Sequence, residues 1–381
     1  MKYPLMSTLG AAVLCACVCV TAQRTYAYGY LGESLSPPET ISTNNRSSGR
    51  VTFSFDNDSV PTGTDVYYTN GLQAHARFQP LTTARVYDWI YDTLNLREPS
   101  KYYWGFLGGQ NMYTPHGLLA VGICGSPDSP DPCLDPGDRP YAGWLYFGLS
   151  YDALWDVSAL NHYLGKMVPA IPPSGISRLS LGFTTGWTGD RSNAGLVQKH
   201  WHALRRDASG NQIGPFDPNW DENGVQIKEE RHLNLHAEFE ADAAWWHADP
   251  FGIRASGHLL GSAGSMFVNF GAGGTLRAGL VGRGLNSSGI RNRGSLYGIL
   301  RISALRVFHN QTLNSEDIEA PAGNLRLQLV PEDVVTEFSL GVAGHFSRIE
   351  ASFLRHTRSK EFEAQLGGCH VVQKFQVTLL Y

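Results

Sequence analysis

Charge is scarce in this chain. Asp, Glu, Lys and Arg make up 17% of its 381 residues, where an ordinary soluble domain carries about 25%. The 30 Lys and Arg against 34 Asp and Glu leave a net charge of −4, so the basic footprint of a nucleic-acid binder is missing. Long apolar runs are missing too. Past the first residues, no stretch reaches the ~18 apolar residues that a spanning helix needs, and the mean hydropathy is −0.21. That excludes a helical membrane protein. Aromatics at 11% argue against disorder and against a coiled coil. Several catalytic signatures are also absent: no G-x-S-x-G elbow, no H-E-x-x-H, no P-loop and no dinucleotide fingerprint. Any active site has to be assembled from strand ends and loops.

Residues 1–27 read as a secretory signal. Lys2 supplies the positive start and Leu9 to Ala22 an apolar run too short to anchor the chain, with cleavage after Ala22 or after Ala27. Three of the six cysteines, Cys15, Cys17 and Cys19, leave with it. Of the others, Cys124 and Cys133 bracket a turn-rich loop that either closes as a disulfide or holds two free thiols. Cys369 has no partner by sequence, and no cysteine spacing makes a zinc site. Without a repeat, linker or composition shift, residues 28–381 are expected to form one domain.

Glycine is abundant, at 42 residues, and alternation with a period of two recurs from end to end. Val51, Phe53 and Phe55 alternate with Thr52, Ser54 and Asp56; Leu72, Ala74, Ala76 and Phe78 with Gln73, His75 and Arg77. Leu145 to Tyr151, Leu179 to Phe183 and Phe338 to Phe346 repeat the pattern. Leu233, Leu235, Ala237 and Phe239 run against Asn234, His236, Glu238 and Glu240, with Asp242 beyond. These are half-buried strands. A soluble sandwich and a membrane barrel both alternate this way. Branched aliphatics should dominate the apolar face of a packed sandwich, but here that face mixes Leu and Val with Ala, Gly and aromatics, and the opposite face carries charge. A charged interior and an apolar exterior fit an antiparallel transmembrane β-barrel of the bacterial outer membrane. The last strand, with Phe375, Val377, Leu379 and a terminal Tyr381, resembles the C-terminal assembly signal of such barrels.

Helical spacing is confined to 86–96, 157–167 and, best of the three, 193–206, with Ser192 as its expected N-cap. On that last helix Gln198 and His202 are four apart and share a face; His202 could serve as a general base or be merely solvated. Asp56, Asn57 and Asp58 end one strand, and Thr64 to Gly71 opens the next. The oxygens crowded there suit a hard cation such as calcium, or simply a polar hairpin turn. His345 and Ser347, two apart on a strand, could pair as base and nucleophile in a serine-type esterase, or be two lumen residues.

Phe55-Asp56-Asn57-Asp58, Asp65 to Gly71, Gln110 to Pro115, and Gly137-Asp138-Arg139-Pro140-Tyr141-Ala142-Gly143-Trp144 occur in this order. Gln198-Lys199-His200-Trp201-His202, Trp220-Asp221 and Gln226-Ile227 follow. Together they resemble the outer-membrane lipid A 3'-O-deacylases (LpxR type) over about residues 51–231. The resemblance implies a twelve-stranded barrel with a short helix in an extracellular loop and its site at the lipopolysaccharide-facing end. It implies calcium-dependent release of the 3'-linked acyloxyacyl chain by an activated water, with His202 as base and Asn57, Asp58 and Thr69 as the other essential polar positions. Asn57, Asp58 and Asp207 are the calcium ligands it suggests. The family's acidic position after the histidine falls on Ala208 here, so Asp207, Asp217, Asp221 or Glu222 has to substitute. Lipid A, the surrounding outer-membrane lipid, a monomeric state and no nucleic acid complete the expected partners. The alternatives are the His345/Ser347 esterase and a non-enzymatic pore or adhesion barrel. By alternation Asn57 continues the Val51-Phe53-Phe55 face, the lipid side.

Overall fold

The structure is a computed structural model describing residues 49–58, 67–79, 101–116, 118–119, 133–134, 138–156, 176–204, 226–248, 251–280, 294–314, 318–319, 329–365 and 368–381. The signal segment, the 86–96 and 157–167 helices, Asp207 and the Cys124–Cys133 pairing lie outside the described residues. In chain order the strands are β1 (Gly49–Asn57), β2 (Tyr67–Phe78), β3 (Lys101–Thr114), β4 (Leu118–Leu119), β5 (Cys133–Leu134), β6 (Ala142–Asp156), β7 (Ile176–Trp187) and β8 (Gln226–Ile227). They continue with β9 (Arg231–Ala248), β10 (Phe251–Gly264), β11 (Phe267–Leu280), β12 (Ser295–Asn310), β13 (Ile318–Glu319), β14 (Val334–Phe346), β15 (Ile349–Ser359) and β16 (Cys369–Leu380). Among the described residues one α-helix, α1 (Ala194–Leu204), follows a 3-10 turn at Gly189–Ser192.

Twelve of these strands close into an antiparallel barrel, while β4–β5 and β8–β13 form two small sheets of their own. Closure falls between the first and last strands: β1 pairs with β16 from Arg50↔Leu380 to Asn57↔Gln373, leaving no open edge. Gly49 and Tyr381 exchange backbone hydrogen bonds of 3.1 and 3.0 Å, so the first and last described residues lie at one rim. That terminal rim also holds the connections 79–100, 157–175, 249–250, 281–294 and 347–348. The longer connections 115–141, 188–230 and 311–333 emerge at the other rim.

The polarity is the reverse of a soluble sandwich. On β9, Leu233 and Leu235 point outward and are exposed, while Glu238, Glu240 and Asp242 point inward and are buried. The buried charges are paired. Arg254 grips Asp242 with Nε and Nη2, both at 2.5 Å. Arg277 reaches Glu240 at 2.9 Å, Arg178 lies 3.4 Å from Glu238 and 3.6 Å from Glu240, and Arg301 lies 3.3 Å from Glu238. Arg77 meets Asp152 at 2.9 Å. Closer to the helix-bearing rim the lumen is apolar, with Trp144, Tyr146, Leu260, Phe267, Leu305 and Val335 in one cluster. Trp144 stacks on Tyr146 at 4.5 Å and meets Phe267 edge-on at 5.3 Å. A charged layer and an apolar cluster therefore occupy the interior. No helix among the described residues is long and apolar enough to cross a membrane.

Candidate active site

On the outward face, alternation continues to the helix-bearing rim but exposure does not. Phe53 is 52% exposed, whereas Asn57, four residues along the same face of β1, is 2% exposed. Its outward neighbours across the sheet are buried as well: Asn70 on β2, Gln373 on β16, and Gln110 and Met112 on β3. Asn70 pairs with Met112, and Met112 with Gly143 of β6. This row forms a ledge on the outside of the wall.

A helix covers part of the ledge. At Gly143 an added Cβ would lie 2.0 Å from Ser192 Oγ and 2.4 Å from Ala194 Cβ, so a residue without a side chain is what lets the start of α1 touch the wall. Met112, Tyr141 and Ala194 pack together there. Gln110 Nε2 donates to the Ser192 carbonyl at 2.5 Å. Ser192, the expected cap, lies one residue outside the observed capping position. Its Oγ accepts the Ala194 N–H at 3.3 Å and donates to the Gly189 carbonyl at 2.6 Å. Asn193, left-handed at φ 54°, accepts the Val197 N–H at 3.1 Å on its carbonyl and is the residue that caps the helix. The reason is the preceding 3-10 turn, which needs Asn193 to reverse direction.

On α1, Ala194 and Gln198 are buried while Leu196 and Val197 are exposed. The helix thus shows the wall a stripe that His202 continues one turn later; the side chain of His202 is not among those described. His200 is off the stripe and exposed, with Nδ1 donating to the Leu196 carbonyl at 2.8 Å. Thr69 sits where the β2–β3 register slips between Tyr68 and Asn70. It is the extra residue of a bulge, a device common beside active sites, and its side chain likewise is not described. Just before it, Tyr67 has φ 65°, a left-handed conformation unusual for an aromatic residue.

Asp58 follows the last residue of β1 in a bend and is fully buried. Its Oδ2 is 3.9 Å from Nε2 of His370 on the inner face of β16, and His370 packs edge-on against Tyr67 at 5.8 Å. The neighbouring Asp56 points inward, accepts from Tyr68 at 3.2 Å and faces Lys374 at 3.8 Å. The structure thus brings Asn57, Asp58 and the Thr69 bulge to one rim, with the helix carrying His202 at the same rim. Asn57 and Asp58 offer an amide and a carboxylate, the oxygen donors that calcium takes. No group of three or more His, Cys, Asp or Glu that could hold a metal occurs among the described residues.

The rival pair does not form. Ser347 lies in the two-residue turn after β14, at φ 59°, and His345 Nε2 donates at 2.9 Å to its carbonyl, not to its hydroxyl. A ring nitrogen that donates there is not poised to accept a serine proton. The pair also lies at the terminal rim, where Ser295 pairs with His345 and Ile349 with Leu379.

Other residues of the sequence motifs act as clasps. Arg139 is wholly buried, donates to Glu361 at 2.5 Å and to Thr312 at 2.9 Å, and covers the Tyr113 ring at 4.4 Å. Asp138 accepts the His116 and Arg139 amides at 2.6 and 2.8 Å. Gln226 donates to Asp190 at 2.5 Å, and the Ile227 amide to the Tyr141 carbonyl at 3.0 Å, tying the segment after the helix to the wall. Asn70 lies within the Thr64 to Gly71 segment that the sequence marks, whereas Gln373 and His370 were not evident in it; Gln373 is a polar residue at an outward position of an alternating strand, which is the signal that marks it.

A search of curated proteins finds no sequence match. Among solved structures, LpxR from Salmonella typhimurium superposes with a TM-score of 0.59 at 15% identity, covering 87% of this chain and all of that one. At that identity the likeness concerns the fold. The β-domain of the Bordetella autotransporter BrkA gives a TM-score of 0.39 at 9% identity, covering 87% of this chain and 99% of that one. The family profile described as "Outer membrane protein LpxR" matches residues 10–167 and 171–378. With nearly the whole sequence accounted for by that profile and the barrel shared with a solved member, the chain belongs to the LpxR family of outer membrane proteins.

Proposed function

We infer that this protein is an outer-membrane hydrolase that removes the 3'-linked acyloxyacyl chain from lipid A, using calcium and a water activated by His202. The observation that carries this reading is the covered ledge. Asn57, Asn70 and Met112 face outward yet are buried, beside a helix whose inner stripe leads to His202 and whose Leu196 and Val197 stay exposed. A site on the outside of a barrel is reached from the membrane, where acyl chains are, and not from the lumen. The ion pairs and the apolar cluster inside the barrel argue against the pore reading.

In this scheme the neutral His202 imidazole takes a proton from water as the water oxygen bonds to the ester carbonyl carbon. The tetrahedral intermediate then breaks its bond to the sugar oxygen, and the imidazolium returns the proton to that leaving group. The products are the free acyloxyacyl acid and the 3'-hydroxyl, and no acyl-enzyme forms. Bound calcium supplies Lewis-acid stabilisation of the oxyanion, and Asn57, Asp58 and Asp207 are the residues proposed to hold it. Thr69 is proposed as a further essential polar group, placed by its bulge. The signal segment, cleaved after Ala22 or Ala27, delivers the chain to the outer membrane as a monomeric barrel, with its helix-bearing rim toward the exterior because longer loops are the extracellular ones.

Terbium luminescence tests the ion site separately from turnover. The detergent-folded protein should sensitise terbium in a calcium-competed manner, and Asn57→Ala should weaken that signal. An unchanged titration in Asn57→Ala would remove Asn57 from the ligand set.

A further inference from the structure

Arg355 is an arginine on the membrane-facing wall. It lies on β15 between the outward, exposed Phe353 and the outward Thr357, while Leu354 beside it points inward and is fully buried. Its cross-strand neighbours are the exposed Leu340 on β14 and Gln373 on β16. Other outward arginines on the strands have partners: Arg306 lies 3.6 Å from Asp333, and Arg231 Nε donates to Thr185 at 3.3 Å. Among the described residues, Arg355 has none. A charge facing lipid is costly at the bilayer centre and tolerated near the headgroups, and such a residue is by default a candidate functional group.

Its register gives it a role. Arg355 pairs with Gln373, and Gln373 pairs with Asn57. Adjacent strands are about 4.8 Å apart, so Arg355 and Asn57 are separated by roughly 10 Å along the outer surface. An extended arginine and a phosphate together bridge that gap. Gln373, between them, is buried. A guanidinium beside a lipid-side ester site suits a phosphate, which it can bind through two parallel N–H donors.

We propose that Arg355 binds a phosphate of the glycolipid substrate and so orients the sugar whose ester enters the Asn57 ledge. The proposal rests on the lipid A reading for the identity of the lipid. In lipid A the 4'-phosphate is on the carbon next to the 3'-ester, so a cation one phosphate away from the ledge fixes the ring from its neighbouring position. Arg355 is in these terms a substrate-binding residue and takes no part in proton transfer.

The test measures binding, so that turnover is not needed. Detergent-folded His202→Ala protein is titrated with bis-phosphorylated lipid A and with enzymatically dephosphorylated lipid A, with and without Arg355→Gln. Barrel folding of each variant is checked by heat-modifiable electrophoretic mobility. The expected result is a preference for the phosphorylated lipid that Arg355→Gln reduces by about 10- to 100-fold, the size of a charged hydrogen-bonded pair. Arg355→Lys should restore part of it, and Arg306→Gln should leave it unchanged. Equal affinity with and without Arg355→Gln, or an equal loss toward both lipids, overturns the proposal. Persistence of the preference in the presence of inorganic phosphate supports a lipid-borne phosphate; its disappearance assigns Arg355 to the free anion and overturns the proposal. The intact His202 protein is assayed alongside for ester cleavage. No cleavage together with an Arg355-dependent preference leaves the phosphate site standing and removes the deacylase reading.

Discussion

Around the terminal rim, the outward residues Phe78, Leu379 and Phe346 stand bare; Phe346 is 74% exposed. Around the opposite rim, Asn57, Asn70, Gln110 and Met112 occupy the same outward face and are buried. The alternation of the strands is the same at both rims, while side-chain polarity and cover differ. At the terminal rim the outer surface does one job, which is to dissolve in lipid. At the helix-bearing rim polar side chains have replaced apolar ones, and buried polar groups persist where hydrogen bonds or a ligand compensate them. Burial of outward polar positions therefore marks the site more sharply than any pocket inside the lumen.

That contrast can be broken deliberately. The largest effect is expected from His202→Ala, which should reduce ester cleavage by about 10²- to 10⁴-fold, the usual contribution of a general base, with unchanged heat-modifiable mobility. Cleavage at the original rate would remove His202 from the mechanism. Next, Gly143→Leu should push Ser192 and Ala194 off the wall. Misplacing a catalytic group by an ångström costs on the order of 10²-fold, so cleavage should drop by about that much while the barrel stays closed; full activity would show that the docked helix is dispensable. The matching change at the bare rim, Phe346→Ala, should leave cleavage per folded molecule unaltered. If it lowered cleavage as much as Gly143→Leu does, the two rims would not differ in kind.

Glu240→Ala addresses the interior. Removing one partner of a buried pair costs about 3–5 kcal/mol, and Arg277 and Arg178 both face Glu240. The variant should unfold at a lower denaturant concentration, with cleavage per folded molecule retained. An unshifted unfolding midpoint would mean that the inner ion pairs add nothing to stability. The smallest effect, none at all, is expected of Ser347→Ala, whose hydroxyl does not meet His345; lost cleavage there would revive the serine-type route.

Much of the barrel was legible because the pleat imposes a period of two, and a membrane barrel displays that period with its polarity reversed. Glu238, Glu240 and Asp242 opposite Leu233 and Leu235 carried the argument, and the structure pairs those acids with arginines from other strands. The partners themselves were not legible, since Arg254, Arg277 and Arg301 are brought together by register and not by spacing. The site was partly legible. Asn57 could be assigned to the outward face by alternation, but its neighbours are set by strand pairing, with Gln373 coming from the far end of the chain. The bulge at Thr69 left no local signature, because one extra residue in a strand is visible only against its partner. His345 and Ser347 misled for a related reason: alternation puts residues two apart on one face only while the strand lasts, and β14 ends at Phe346. The cap falls on Asn193 and not on Ser192 because the 3-10 turn that inserts Asn193 before the helix has no periodicity of its own.

The most direct test of the central claim is mass spectrometry of lipid A incubated with the detergent-folded protein, with calcium and with a chelator. The account predicts loss of one acyloxyacyl unit with calcium and an intact spectrum with chelator, the loss returning when calcium is restored. An unchanged spectrum in calcium, from protein shown to be a closed barrel, would contradict it.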